Sequence, residues 1–463
     1  MKNNQKVKVI ILVLLFVIIS LLCSFFPEEW NFGFNRSQYF SIILRSVLLF
    51  IVIISISTKV ELLIYNHFRK LKTLMQKIFC NKHLCFAIIS LFFLIIFLNF
   101  KEVQLYGDGV DIISRLDENG YLMTNVLTDY CFRGAKYLLR NTSINSYNTI
   151  GIINSIAGMI FIYITLLLSD EIGKSFFDKI FLFSFISTMG SMALFFGHIE
   201  VYSLFATSIL AYIYLTYLFI HRKISIIWPS MMFSIACLFH MSGGILFPSL
   251  ILVYFWNRKN VKKEFFLKQY FLNKSCLQLV ISVMLPLILM TSTIFFFEWN
   301  SQIPHNTIAI YGRFAQPGEG FWGGWYPIRT IKYPSSQRFT LFSLNHMSEL
   351  VNIYFLISPI GIIIFLFIWL DKDIKVDYKD AFLKFLVVAF SFYFLYSFFR
   401  ALGFGMKDWD HFSPISIIYT VLGLYILIKH KTGEEKKSIY LILLSTAIFH
   451  LVPWILFNAN RII

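Results

Sequence analysis

Charge is scarce in this chain. Only 14% of its 463 residues are Asp, Glu, Lys or Arg, whereas 57% are hydrophobic and 53 are Phe. Such a composition excludes a soluble globular class. Acids are rarer than bases, 25 against 41 Lys and Arg, which leaves a net charge of +16. That excess is not a nucleic-acid footprint. About two thirds of the basic residues fall in alternate loops between apolar runs (2–8, 59–82, 174–179, 222–223, 258–274, 372–384 and 429–437), the asymmetry of the positive-inside rule. It places the N-terminus in the cytoplasm and the basic loops against anionic lipid headgroups. The six cysteines are scattered and form no CxxC pair, which excludes a disulfide framework and a cysteine metal site. A repeat of 20–50 residues is also lacking, as is an inverted repeat, and this weighs against many transporter folds.

What the chain does have is a succession of long apolar runs. A bilayer span needs about 20 mainly apolar residues, and about thirteen candidates meet or approach that length. They are 9–26, 39–57, 85–100, 148–168, 180–196, 201–220, 225–240, 243–256, 276–297, 349–370, 381–399, 415–429 and 439–457. The first follows Lys2, Lys6 and Lys8, but it is long for a signal peptide and no A-x-A pattern follows, so it reads as a span. The expected fold is all-α: one polytopic transmembrane helix bundle with no separate soluble domain.

Counting spans from a cytoplasmic N-terminus puts 101–147, 298–348 and 400–414 outside, together with short turns at 197–200 and 240–242. In 125–140 the residues Val126, Leu127, Tyr130, Tyr137 and Leu138 recur near helical spacing, with Arg133, Lys136 and Arg140 opposite. This predicts a helix lying in the interface plane within the first large outer loop. The 298–348 segment is aromatic and rich in Gly and Pro, with no helix or strand period, and reads as a binding loop or lid.

Four polar clusters share the outer face. YGDGVD (106–111) carries Asp108 and Asp111, with glycines flanking Asp108 that allow close approach of a substrate. A carboxylate there can act as general base toward an alcohol; the bland reading is a solvated D-G turn. GHIEVY (197–202) sets His198 and Glu200 at the mouth of a span, where a carboxylate usually faces a polar cavity or a partner. Its bland reading is an interfacial residue beside an aromatic belt. HMSGG (240–244) contributes His240, a type more often structural than a ligand at a helix end. MKDWDHFSP (406–414) adds Lys407, Asp408 and Asp410, close after Arg400. Its two bases can clamp a phosphate, and its two acids can orient them. No cluster is diagnostic alone; their common sidedness carries the case.

The order of these motifs resembles the GT-C class of integral-membrane glycosyltransferases, in particular bacterial relatives of the protein O-mannosyltransferases and of the aminoarabinose transferase that modifies lipid A. Those proteins carry an acidic motif in the first large outer loop followed by interfacial helices, which YGDGVD and 125–140 match in order. The resemblance implies a catalytic bundle over 85–463, preceded by an added transmembrane hairpin and basic loop in 1–84. It implies a sugar donated from a polyprenyl phosphate at the extracytoplasmic face of the cytoplasmic membrane, and a glycolipid, glycan or protein acceptor. Asp108 would be the base, assisted by Asp111 or Glu200. The leaving phosphate needs cationic stabilisation, for which Arg400 and Lys407 come first, then Arg313, Arg329, Arg133 and Lys136. Trp322 and Trp325, with Phe321, Tyr326 and Tyr333, would cover a sugar face or a prenyl chain. His198, His240, Asp408 and Asp410 complete the substrate-binding candidates. A divalent cation is left open, because the acids carry suitable oxygens but their linear spacing is no metal signature.

Two other classes compete. An O-antigen-type polymerase or ligase would use outer-loop Arg and His chemistry at Arg313, Arg329 and His305. A lipid-linked sugar flippase or transporter predicts charges at the bilayer midplane, where the sequence offers only Arg45.

Overall fold

The computed structural model describes residues 2–26, 32–34, 36–78, 81–105, 107–118, 125–256, 274–300, 340–374, 376–400, 405–430 and 434–461. Every regular element among them is helical. In chain order the α-helices are α1 (Lys2–Cys23), α2 (Ile42–Ser55), α3 (Thr58–Ile78), α4 (Lys82–Asn99), α5 (Gly109–Asp117), α6 (Val126–Leu138), α7 (Ser146–Ile172), α8 (Phe176–Ser187), α9 (Tyr202–Ile220), α10 (Ile227–Phe239), α11 (Phe247–Trp256), α12 (Lys274–Asn300), α13 (Leu344–Ile357), α14 (Pro359–Leu370), α15 (Ala381–Phe399), α16 (Ser413–His430) and α17 (Glu434–Asn458). Short 3₁₀ turns at Gly190–Phe195, Met241–Leu246 and Gly405–Phe412 precede α9, α11 and α16.

The described residues hold seven helices long and apolar enough to cross a membrane, or up to nine if two bent pairs each count as one span. The protein is therefore a multi-pass membrane protein, although thirteen full crossings are not seen among the described residues. The difference lies in how the apolar runs are broken. The 180–196 run stops as a helix at Ser187 and continues as a 3₁₀ turn, while α10 and α11 have 13 and 10 residues. The 349–370 run bends by 104° between α13 and α14. Pro359 opens α14, where a missing N–H costs nothing, and the Ser358 hydroxyl accepts the Gly361 N–H at 3.3 Å as its cap.

Burial sorts the helices into a centre and a rim. Nearly every residue of α16 is enclosed, and α9 and α17 are largely so. By contrast α4 turns Leu84, Ile88, Leu91, Phe92, Ile95 and Leu98 outward. So broad an apolar surface is untenable in water and suits lipid. Lipid gives no hydrophobic drive between helices, so close approach and hydrogen bonds hold them. Gly361 permits one such close approach: a Cβ there would lie 2.2 Å from Tyr419 Cε2 on α16. Ser358 meets Thr420 at 2.9 Å, and Ser416 donates to Ser191 at 2.8 Å.

The up-and-down path fixes where chemistry can gather. The C-terminal ends of α4, α10 and α15 and the N-terminal ends of α7, α9 and α16 meet at one end of the bundle. Ion pairs collect at their opposite ends: Lys82 and Lys179 on Asp170, Lys223 on Glu171, and Lys429 on Asp380.

Candidate active site

Beyond α4 the chain runs extended, pinned on two sides. The Glu102 N–H donates to the Phe196 carbonyl at 2.7 Å and the Val103 N–H to the Asn458 carbonyl at 2.9 Å. The Tyr147 hydroxyl donates to the Glu102 carbonyl. This sets Glu102 beside the GHIE turn, which Gly197 opens at φ +73°. Asn154, buried inside α7, donates its amide to the carbonyls of His198 (2.5 Å) and Glu200 (3.0 Å). One side chain thus satisfies two carbonyls of a turn that has no helix to satisfy them.

His198 bridges two carboxylates. Its Nδ1 lies 2.6 Å from Glu102 Oε2 and its Nε2 lies 3.3 Å from Asp410 Oδ2, with His198 and Glu102 each 1% exposed. Trp409, fully enclosed, packs its ring 5.1 Å from the imidazole. Burial opposes a charge on His198, but Glu102 and Asp410 outweigh it and raise its pKa well above the ordinary histidine range.

Glu200 is aimed the other way, at the acidic loop. Its Oε1 accepts the Asp108 N–H at 2.8 Å. Gly107 stands at φ +56°, and a Cβ added there would lie 2.9 Å from Glu200 Oε1 and 3.1 Å from Asp408 Oδ1. Glycine is required here twice over, for the left-handed backbone and for the room. Asp108, at the start of α5, is exposed, Asp408 is half-buried and Glu200 is buried. Although the residue is exposed overall, partial enclosure of its carboxyl, then Asp410 and Asp111, push the Asp108 pKa upward against Arg115. Burial, then Asp410, push Glu200 well upward against His198.

A second polar group adjoins the first. His411 sits between two tyrosines, with Nδ1 2.5 Å from the Tyr202 hydroxyl and Nε2 2.6 Å from that of Tyr396. The His240 ring lies 4.9 Å from Tyr202 and 5.8 Å from His411. Its Nδ1 is 2.6 Å from the Ser242 hydroxyl, which lies 3.2 Å from that of Tyr393. Arg400 closes α15 through its N–H to the Tyr396 carbonyl at 2.9 Å, and its charge acts on His240.

All four sequence clusters therefore meet at one place, with Asp108, Glu200, His198, Asp408, Asp410 and His240 within it and Arg400 beside it. Asp111 does not join them: it is exposed and paired with Arg115 at 2.7 Å. Lys407 is exposed. Arg133 pairs with Asp129 at 2.7 Å and Lys136 with Asp117 at 2.9 Å, so both hold local structure. Arg313, Arg329, Trp322, Trp325, Phe321, Tyr326, Tyr333 and His305 lie outside the described residues. Among the described residues no three His, Cys, Asp or Glu side chains form a group that could hold a metal ion. Sequence reasoning missed Glu102, Asn154 and the Tyr202–His411–Tyr396 set. The only signal for Glu102 is its place immediately after a span, and Lys101 beside it gives that acid an ordinary reading as well.

The bundle has the fold of the GT-C class of integral-membrane glycosyltransferases. ArnT from Cupriavidus metallidurans, solved bound to undecaprenyl phosphate, matches with a TM-score of 0.50 and 9% identity over 81% of this chain and 77% of that one. The Archaeoglobus fulgidus oligosaccharyltransferase in its apo form matches at TM-score 0.43 and 13% identity over 82% of this chain. Archaeal AglB from the same organism, in complex with an inhibitory peptide and a dolichol-phosphate, matches at 0.43 and 14% over 84%. This chain spans 56% of the length of each of those two. No protein-family model and no curated protein sequence matches it. At such identities the likeness speaks for the fold alone.

Proposed function

We propose that this protein transfers a sugar from a polyprenyl-phosphate donor to a hydroxyl acceptor, with inversion, at the extracytoplasmic face of the cytoplasmic membrane. The observation that carries this reading is the meeting of Asp108, Glu200 and Asp408 around Gly107 in a bundle with the GT-C fold. The ArnT structure of that fold holds undecaprenyl phosphate, which supports a lipid-phosphate donor.

In this mechanism Asp108, the exposed carboxylate, takes the proton of the acceptor hydroxyl as the oxygen attacks the anomeric carbon. An inverting transfer to an alcohol needs one such base. Glu200 does not touch the acceptor; it holds the Asp108 N–H and so fixes the base. The bond from the anomeric carbon to the phosphate oxygen breaks on the opposite side and polyprenyl phosphate leaves. Arg400, with Lys407 at the rim, takes up the charge that develops there. The ion pairs at the far end belong with a cytoplasmic N-terminus, following the positive-inside rule.

The donor class is tested directly. Purified protein in lipid nanodiscs, given polyprenyl-phosphate sugars and a hydroxyl acceptor, should form product with release of polyprenyl phosphate. Nucleotide sugars should give none. Transfer from nucleotide sugars alone would overturn this reading.

A further inference from the structure

Resting on the transferase reading, the geometry points to His198 as a positioning residue: a buried imidazolium clamp that ties three chain segments together and sets the charge of the acidic site. Both of its ring nitrogens face carboxylate oxygens, Glu102 Oε2 at 2.6 Å and Asp410 Oδ2 at 3.3 Å. Only the protonated ring has a donor for each.

The surroundings argue the same way. Buried carboxylates need a compensating partner. The other Glu102 oxygen finds no protein partner among the described residues, so the His198 ring is what compensates it. Lys101 is adjacent in sequence, yet its amine turns to Asn148 Oδ1 at 2.8 Å and lies over the Tyr147 ring at 3.7 Å. Burial lowers its pKa to about 8. On the other elements packed around His198 the ionisable groups are Asp108 at the start of α5, Glu200 in its own turn, Tyr202 from α9, and Lys407, Asp408, Asp410 and His411 from the turn before α16. Lys407 is exposed and the His411 ring is taken up by Tyr202 and Tyr396, so the groups left to face the His198 ring are acids. A single buried cation among them holds the 101–105 segment, the GHIE turn and the 405–412 turn in register, and it favours the carboxylate form of Glu200 two residues on.

The sign of the expected effect follows. Glu200 holds the Asp108 N–H best as a carboxylate, so removing the cation makes Glu200 easier to protonate, loosens its hold on the base, and the loss grows as pH falls. The ring charge is read first, with no substrate present, by ¹⁵N NMR of histidine-labelled full-length protein in nanodiscs. The His198 signal, assigned as the one that moves in Glu102→Gln, should have imidazolium shifts at neutral pH and above. In His198→Gln, kcat/KM should fall by about tenfold more at pH 6 than at pH 8, the effect of an acid limb displaced by about one pH unit. Neutral imidazole shifts at pH 7, or an equal fractional loss at every pH, would overturn the proposal. Should His198→Gln fail to fold, the spectrum of the wild type decides. Absence of transfer from any lipid-phosphate donor would instead count against the transferase reading, leaving the ring charge to stand or fall by itself.

Discussion

Gly107 shows how little freedom the site leaves. Alanine there would adopt a left-handed backbone at a cost of about 1–2 kcal/mol, and its methyl would press on Glu200 Oε1. The carboxylate can move, but then it no longer accepts the Asp108 N–H. Gly107→Ala is therefore expected to remain folded, with a Tm only slightly lowered, while transfer activity drops at least tenfold in kcat. Activity and stability falling together would show that the glycine serves the fold alone. The acids themselves were legible in the sequence, because carboxylates are costly near a membrane and stand out in a chain with so few of them. Glu102 and Asn154 were not. A lone Asn in an apolar run and an acid next to a lysine each have ordinary readings, and only the fold brings both onto His198. Asp111 failed in the opposite way. Its spacing from Asp108 suggested a pair, but three residues along α5 carried it outward to Arg115.

Each helix contributes mostly an end to the site, and α7 contributes a flank. Asn154 is the buried polar residue of α7 that organises the GHIE turn. Replacing it with leucine keeps the branched shape but leaves the Glu200 carbonyl without this donor and the His198 carbonyl with only the Glu200 N–H, a cost of about 1–3 kcal/mol for the buried group left unpaired. Asn154→Leu should show a thermal unfolding midpoint lowered by several degrees in detergent, and weaker transfer. An unchanged midpoint would mean that the carbonyls find other donors. Apolar length revealed the helices well, while the number of crossings also depends on where the runs break. Hydropathy counts residues, and it does not see that Pro359 turns one run through 104° or that α10 and α11 stop short. Pro359 could have been read as a break, since proline inside a run begins a new helix more readily than it continues one.

At the scale of the molecule the described residues are polarised along the bundle, with the buried cluster of acids and histidines at one end and the lysine ion pairs of Asp170, Glu171 and Asp380 at the other. Sidedness is the part of this arrangement that the charge pattern of the loops predicts, and it is open to chemical labelling. In a background without native cysteines, a membrane-impermeant maleimide applied to intact cells should label Thr142→Cys, near the end of α6. It should leave Tyr378→Cys, in the turn before α15, unlabelled until the cells are broken. The reverse pattern would place the acidic site in the cytoplasm and remove the case for an extracytoplasmic donor. The long aromatic segment between α12 and α13 lies outside the described residues, so its part in substrate covering rests on the sequence.

Turnover of Asp108→Asn in nanodiscs with a polyprenyl-phosphate sugar and saturating acceptor tests the central claim most directly. The amide keeps the shape and the backbone N–H that Glu200 holds, but it cannot accept the proton. Loss of a general base predicts a fall in kcat of about a hundredfold to ten-thousandfold, with donor binding and the unfolding midpoint retained. Turnover equal to that of the wild type would contradict the assignment of Asp108 as the base.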